Sequence, residues 1–172
     1  ILYAPTWRDS TDGGKSYAIK PPIDFMKWEN ILGDEYIVFF RAHHLTNKIL
    51  GVKYNNFVWD MSDYPRVNDL MIAADILITD YSAIAFDFSI LCKPIFCYAY
   101  DYDSYLADRG TYFDIDKKYP NKSCRTEEEL LNRIKNIDYS SECENTKRFR
   151  NEFIQYGLGS IEKCIEKIFG GR

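Results

Sequence analysis

The residues with the clearest capacity for chemistry lie where short apolar runs end. The stretch ILITDYSAIAFDF (76–88) passes from an apolar run into Asp80 and Ser82, then resumes with apolar residues at helical spacing. Serine is a favoured N-cap, and the backbone N–H groups at a helix N-terminus bind anions. We therefore predict that Ser82 caps a helix beside a bound phosphate. A phosphate would repel Asp87, one turn further along, which is predicted to accept hydrogen bonds from sugar or polyol hydroxyls.

Comparable polar side chains follow the other apolar runs. Thr6 and Arg8 come after the first run, and Arg41, His43 and His44 come after the second. Arg41 and His43 alternate to one face of a strand end, and a guanidinium with an imidazole suits a cluster of pyrophosphate oxygens. The third and fifth runs are followed by Ser62, Asp63, Asp101 and Tyr102.

Each of these residues also has a purely structural interpretation. Ser82 can serve only as a cap, Asp80 can anchor a loop, and Asp87 can pair with a surface cation. His43 can be a structural histidine, and Arg8 can be a solvated strand end. The functional interpretation therefore depends on whether the fold brings these side chains to one place.

Strand-like and helical patterns alternate along the chain. Apolar runs predict five strands, at 1–7, 35–43, 55–62, 75–81 and 94–100. Apolar spacing, Pro22 and Pro65 in first turns, and a capping box of Thr126 and Glu129 predict helices at 21–32, 65–74, 82–92, 126–137, 141–156 and 160–169. The polar, aromatic-rich stretch 101–125 is predicted to be a long binding loop.

This alternation predicts an α/β fold with a doubly wound, Rossmann-like parallel sheet. We assign 1–156 to one such domain and 157–172 to its C-terminal helix. Right-handed crossovers bring the ends of all parallel strands to one edge of the sheet, and ligands bind outside that edge. We therefore expect the polar residues after the five strands to share one rim.

The composition excludes several classes of function. With 46% hydrophobic and 28% charged residues among 172, the chain is neither disordered nor membrane-spanning. Its net charge of −4 gives no electrostatic support for nucleic-acid binding. The sequence has no glycine-rich phosphate loop, no hydrolase nucleophile elbow and no Cys/His metal cluster. No cofactor is predicted, although Asp80 or Asp101 leaves a Mg²⁺ site open.

Two further features bear on the source of the chain. It starts on a core-strand pattern without an initiator methionine, so we expect a domain of a longer protein. Its five cysteines contain no CxxC pair, which favours a reducing cytosol over a disulfide scaffold.

Six motifs occur in an order that resembles the CDP-glycerol glycerophosphotransferase family, the teichoic acid polymerases and primases of Gram-positive bacteria. They are LYAPTWRD (2–9), RAH (41–43), DLMIAADILITDYSAIAFDF (69–88), KPIFCYAYDYDSY (93–105), RGTYFD (109–114) and EEELL (127–131). The resemblance covers nearly the whole chain. It implies the carboxy-terminal, nucleotide-binding half of a GT-B-type enzyme.

The resemblance also implies a reaction, the transfer of glycerol phosphate from CDP-glycerol to a lipid-linked teichoic acid with release of CMP. The family's donor contacts fall on Pro5, Thr6, Arg41, His43, Ser82, Ala83 and Asp87. Arg8 and Asp80 complete the predicted donor site, and Arg41 and His43 are the predicted catalytic residues. The family's general base belongs to an amino-terminal half that this chain lacks, so the chain alone is expected to be inactive.

The chain departs from the family pattern at three places. Ala83 stands where a second serine is usual, so one hydroxyl is lost while the backbone N–H is kept. The tripeptide 120–122 (PNK) replaces the frequent PGP, and His44 replaces the proline that usually follows the R-x-H motif.

The donor and the cellular role have alternatives. CDP-ribitol would suit the same rim, as would a UDP- or GDP-sugar in another GT-B glycosyltransferase, and a non-catalytic nucleotide-binding module is a further alternative. The candidates for stacking on the base are Tyr98, Tyr100, Tyr102 and Tyr105. We expect a cytoplasmic protein, peripheral on the inner face of the cell membrane, that acts on a lipid-linked acceptor and binds no nucleic acid.

Overall fold

The computed structural model describes residues 1–6, 22–42, 54–154, 156–157 and 159–170. These ranges contain five short strands: β1 (Leu2–Tyr3), β2 (Val38–Phe40), β3 (Val58–Asp60), β4 (Leu77–Thr79) and β5 (Ile95–Cys97). They also contain eight helices: α1 (Phe25–Leu32), α2 (Val67–Ala73), α3 (Ile84–Ser89), α4 (Tyr102–Asp108), α5 (Ile115–Lys118), α6 (Glu127–Lys135), α7 (Tyr139–Phe153) and α8 (Ser160–Phe169).

The strands form one sheet in the order β3-β2-β1-β4-β5, and every pair is parallel. The chain starts at the central strand, builds outward through β2 and β3, and then returns to place β4 on the other side of β1. This reversal confirms the doubly wound α/β prediction. It also puts the switch point, where such folds bind ligands, between β1 and β4.

Helices cover both faces of the sheet because successive side chains of a strand point to opposite faces. Tyr3 and Ile78 belong to a core cluster with α1 and α6, whereas Leu2 and Leu77 belong to a second cluster with α2, α3, α5 and α7. In the first cluster Trp28 is fully buried, and its indole N–H donates to Glu127 Oε1 at 2.9 Å. That hydrogen bond joins α1 to α6 across the same face.

Several element boundaries differ from the predicted ones. Helix α1 begins after Asp24 and not at Pro22, because the Asp24 carboxylate accepts hydrogen bonds from the N–H groups of Met26 and Lys27. At the start of α6, Thr126 Oγ1 accepts from the N–H of Glu129 as predicted. The Glu129 carboxylate, however, accepts the N–H of Arg125 and not that of the cap residue.

The prediction of a single loop over 101–125 is wrong, because this stretch contains α4 and α5. Helix α4 has no buried residue, so its sequence lacks the apolar stripe that reveals a helix. Tertiary contacts hold it instead, since the ring of Tyr105 stacks on that of Tyr81 with 3.6 Å between centroids. Helix α5 is a single turn that buries Ile115.

Candidate functional site

A cleft of ≈ 360 Å³ opens at the carboxyl edge of the sheet, where β1, β2 and β4 end. The described residues that line it include Pro5, Thr6, Arg41, Ser82, Ile84 and Arg109. Two of the described residues that line it are arginines, and none of them is acidic. We call it the arginine cleft. A cleft of this composition attracts anions, and guanidinium groups are well suited to phosphate oxygens.

Strand pairing brings the two sides of this cleft together. Ala4 N donates to Ile78 O at 2.9 Å, and Thr79 Oγ1 donates back to Ala4 O at 2.8 Å. On the other side of β1, the backbone N–H of Arg41 donates to Tyr3 O at 2.9 Å. The backbone hydrogen bonds of the sheet therefore continue past the ends of the strands. They fix the positions of Ala4 and Arg41, which line the cleft.

Asp80 fastens the chain after β1 to the chain after β4. Its side chain is buried, and Oδ1 accepts hydrogen bonds from Thr6 N at 2.8 Å and from Tyr81 N at 2.7 Å. Asp80 is not among the residues that line the cleft. The observed contacts are those of the structural interpretation, a carboxylate that holds the segment of Pro5 and Thr6 against the β4–α3 corner.

The same corner is also held from the β5 side. The hydroxyl of Tyr119 donates to the backbone oxygen of Asp80 at 3.0 Å, and the Cys97 thiol contacts that oxygen at 3.4 Å. Burial raises the pKa of the Tyr119 phenol far above its usual range and also raises the pKa of the Cys97 thiol. Both groups therefore stay neutral donors beneath the cleft at physiological pH.

The N-cap position of α3 falls on Ala83, one residue after the predicted Ser82, but the capping hydrogen bond at this helix start is accepted by the Ser82 side chain. Helix α3 begins at Ile84, and Ala83 occupies the N-cap position without a side-chain hydrogen bond. Ser82 Oγ instead accepts from the N–H of Ile84 at 3.3 Å, two residues ahead, which is the pattern of a serine turn. Ser82 still lines the cleft, so its hydroxyl and its backbone lie where a ligand would bind.

Arg41 has a structural role in addition to its place in the cleft. Its Nη1 donates to the backbone oxygens of Met61 at 2.8 Å and Tyr64 at 2.7 Å. These bonds hold the turn after β3 beside the end of β2, as does the hydrogen bond from Ala42 N to Ser62 Oγ. A guanidinium has five N–H donors, and Nη1 supplies two of them, so Nε and Nη2 retain capacity for a phosphate.

The other predicted site residues are placed differently. Ala83 and Asp87 are exposed on the β4–α3 corner and on α3, and neither lines the cleft. Arg8, His43 and His44 lie outside the described residues. The structure therefore brings Pro5, Thr6, Arg41 and Ser82 together, with Asp80 buried behind them.

Arg109 is a cleft residue that the sequence reasoning did not assign. It is exposed at the C-terminal end of α4, where its N–H donates to Tyr105 O at 2.9 Å. Its position in the stretch after the fifth strand was a usable signal, because that stretch had to return to the same rim as the other strand ends. The stretch was predicted to be a binding loop, but only Asp101, Tyr102 and Tyr105 in it were named as candidate ligand or rim residues.

The four tyrosines proposed for base stacking have different environments. Tyr98 is buried in the core, and its hydroxyl donates to Pro22 O at 2.9 Å. The ring of Tyr102 lies 3.9 Å from the Arg125 guanidinium carbon. Tyr105 lines a small aromatic cleft of ≈ 170 Å³ next to the arginine cleft, and Tyr100 packs at the edge of the core. Of the four, Tyr105 has the placement closest to that of a ligand contact.

The part of the chain that the structure describes contains no group of three or more His, Cys, Asp or Glu side chains that could hold a metal ion. Asp101 accepts a hydrogen bond from the hydroxyl of Tyr81 at 3.0 Å. The absence of a cofactor stays a prediction.

The family model for CDP-Glycerol:Poly(glycerophosphate) glycerophosphotransferase matches residues 1–169. The chain belongs to this family. The teichoic acid poly(glycerol phosphate) polymerase of Bacillus spizizenii is 35% identical over 99% of this chain and 44% of its own length. The teichoic acid poly(ribitol-phosphate) polymerase of the same species is 32% identical over 83% of this chain and 23% of its own length. The chain therefore spans less than half of these glycerophosphotransferase-family relatives.

A solved structure agrees with the family assignment. The wall teichoic acid polymerase TagF superposes with a TM-score of 0.80 and 34% identity, over 98% of this chain and 42% of that one. A variant of TagF has also been solved after a soak with CDPG. The match confirms the predicted fold class, a Rossmann-like half of a GT-B-type glycerophosphotransferase. Among the described residues, no helix combines the length and the apolar character that a membrane span requires.

Proposed function

We propose that this chain binds the CDP-linked donor of a teichoic acid phosphotransferase. The parent enzyme transfers glycerol phosphate from CDP-glycerol to a lipid-linked teichoic acid and releases CMP. It works at the inner face of the cell membrane, where the acceptor is anchored. The observation that carries the proposal is the cleft at the carboxyl edge of the sheet, which combines Arg41, Ser82 and Arg109 without an acidic lining residue among those described.

The chemistry of this cleft suits a diphosphate. Two guanidinium groups from different elements, one after β2 and one at the end of α4, can contact oxygens of both phosphates. The Ser82 hydroxyl supplies a neutral donor in the same cleft. A carboxylate lining the cleft would repel the same ligand, and the buried Asp80 carboxylate nearby accepts backbone hydrogen bonds instead.

In the proposed reaction an acceptor hydroxyl oxygen attacks the β-phosphorus of the donor. The new oxygen–phosphorus bond forms as the bond from that phosphorus to the bridging oxygen breaks, and CMP leaves with the bonding electrons. The proton of the acceptor passes to a base outside this chain. Arg41 and Arg109 would offset the charge that develops on the leaving phosphate, and His43 remains the predicted imidazole partner.

A ribitol phosphate donor is the second candidate, because the glycerophosphotransferase family also contains poly(ribitol-phosphate) polymerases. The two donors share the cytidine and the diphosphate, so the arginine cleft serves either. The polyol beyond the β-phosphate is the part that differs. The two functions are therefore separated by the choice of donor in a binding measurement.

The test is a calorimetric titration of the parent enzyme with CDP-glycerol, CDP-ribitol and a UDP-sugar. We expect a CDP-linked polyol to bind more tightly than the UDP-sugar, and Arg109→Ala to weaken that binding by about tenfold or more, the equivalent of one charged hydrogen bond. Arg148→Ala is the matched control, since Arg148 is exposed on α7 and lies outside the cleft. Equal losses from the two variants, or a preference for the UDP-sugar, would contradict the proposed function.

A further inference from the structure

Helix α4 brings Arg109 to the arginine cleft although the helix itself buries no residue. Its half-buried side chains are Tyr102 and Tyr105, and Arg109 follows Tyr105 by one turn. Residues three and four apart share one face of a helix, so these three side chains lie on the same side of α4. The position of Arg109 in the cleft therefore depends on what this face contacts.

Tyr105 joins Arg109 to the corner between β4 and α3. Its ring stacks on that of Tyr81, with 3.6 Å between the centroids and 14° between the planes. Its backbone oxygen accepts the N–H of Arg109 at 2.9 Å and the N–H of Gly110 at 3.3 Å. Gly110 has a φ of +70°, a left-handed conformation that favours glycine, so the chain turns directly after Arg109. One residue thus contacts the corner through its side chain and holds the backbone of Arg109 through its carbonyl.

Tyr81 is fixed at that corner by its own hydrogen bonds. Its N–H donates to Asp80 Oδ1 at 2.7 Å, and its hydroxyl donates to Asp101 Oδ1 at 3.0 Å. Asp101 occupies the N-cap position of α4, so Tyr81 contacts this helix at its start as well as in its middle. The next residue along the chain, Ser82, lines the arginine cleft. The same corner therefore places Ser82 directly and Arg109 by way of the aromatic stack.

The sequence named Tyr105 as a candidate for stacking on the base of a nucleotide, which is a different use of the same ring. In the structure the ring contact of Tyr105 is with Tyr81. Both tyrosines line the small aromatic cleft, and neither lines the arginine cleft. The observed contact therefore favours an indirect role, in which Tyr105 acts on a ligand of the arginine cleft through Arg109.

We propose that Tyr81 and Tyr105 are positioning residues for donor binding, because their stack holds Arg109 where its guanidinium contacts the diphosphate. The inference rests on the proposed function for the identity of the ligand. It adds two neutral residues that set the affinity for a charged ligand from outside its cleft. Removal of the stack should therefore weaken donor binding even though Arg109 itself is unchanged.

The first test needs no donor. Hydrogen exchange of the parent enzyme is read by mass spectrometry over peptides that contain α4 and Arg109, for Tyr105→Ala and for Leu106→Ala. Leu106 is the adjacent residue of the same helix and is 44% exposed, which makes Leu106→Ala the matched control. We expect exchange to be about tenfold faster in Tyr105→Ala alone, because loss of the stack lets the helix open. Alanine is the best helix former, so helix propensity would act in the opposite direction. Equal exchange rates in the two variants would overturn the proposal.

The second test is a double-mutant cycle in the calorimetric titration, with the CDP-linked polyol that the wild-type parent enzyme binds more tightly. We expect Tyr105→Ala and Arg109→Ala each to weaken binding by about tenfold. The double variant should lose no more than about twofold beyond Arg109→Ala, because Tyr105 acts through Arg109. Tyr105→Phe keeps the ring and should bind the donor as the wild type does.

Two results of this cycle would overturn the proposal. Losses that multiply in the double variant would show that Tyr105 contacts the donor itself. A loss in Tyr105→Phe as large as that in Tyr105→Ala would show that the ring stack is not what holds Arg109. Failure of the proposed function is a different result, since the wild-type enzyme would then prefer the UDP-sugar or bind none of the three compounds. The exchange experiment would still decide whether the stack holds Arg109.

Discussion

Replacement of Asp80 tests whether the buried carboxylate holds the donor cleft together. Asp80 Oδ1 accepts two backbone hydrogen bonds, at 2.8 Å from Thr6 and 2.7 Å from Tyr81, and the residue is 2% exposed. Hydrogen bonds to a charged group contribute about 1.5–3 kcal/mol each, and the two share one oxygen, so we expect Asp80→Ala to cost about 3 kcal/mol. Asp80→Asn keeps an accepting oxygen and loses the charge, so we expect it to cost about half as much.

The assay is urea unfolding of the chain followed by tryptophan fluorescence, to which Trp28, fully buried in the native state, contributes. With a urea dependence of about 2 kcal/mol per molar, Asp80→Ala should lower the midpoint by about 1.5 M. The variant should also bind the donor more weakly, because Pro5 and Thr6 lose their anchor. A loss in unfolding free energy below about 0.5 kcal/mol, the range of ordinary surface substitutions, would refute the reasoning.

Two further predictions concern other parts of the domain. Burial raises the pKa of Tyr119 above its unfolded value near 10, so its contribution to stability is complete below about pH 10 and is lost as the pH rises further. In urea titrations above pH 10, Tyr119→Phe should flatten the fall in unfolding free energy by up to about 1.4 kcal/mol per pH unit, and an unchanged slope would contradict the burial of the phenol. Thr126→Ala, which removes the acceptor for Glu129 N, should cost about 1 kcal/mol in the same assay, while the exposed Ser140→Ala should cost almost nothing.

Most of the sheet was predictable because β1, β4 and β5 are buried at every position. The run Ile76–Ile78 is apolar at every position, and in the structure its side chains belong to two separate core clusters. Helices such as α6 were predictable because their buried residues form an apolar stripe at helical spacing. Helix α4 was missed because it buries no residue and is held by the stack of Tyr105 on Tyr81, a contact that no local pattern reveals.

The candidate site was predictable to the extent that it follows from topology. Parallel strands deliver their ends to one edge, and Pro5, Thr6, Arg41 and Ser82 do line one cleft. The role of each side chain was harder to predict, because hydrogen bonds decide it. The sequence placed Asp80 among the predicted donor contacts. In the structure its carboxylate accepts hydrogen bonds from two backbone N–H groups. A residue at a strand end can face a ligand or hold a turn, depending on small differences in the position of its side chain. The spacing of residues in the sequence does not specify those differences.

The central claim is that the cleft between the ends of β1, β2 and β4 holds the diphosphate of a CDP-linked donor. The most direct test is a crystal of the parent enzyme soaked with CDP-glycerol. We predict density for both phosphates within hydrogen-bonding distance of the guanidinium groups of Arg41 and Arg109, with Ser82 between them. Density for the nucleotide at any other surface of the domain, with this cleft containing only solvent, would contradict the account.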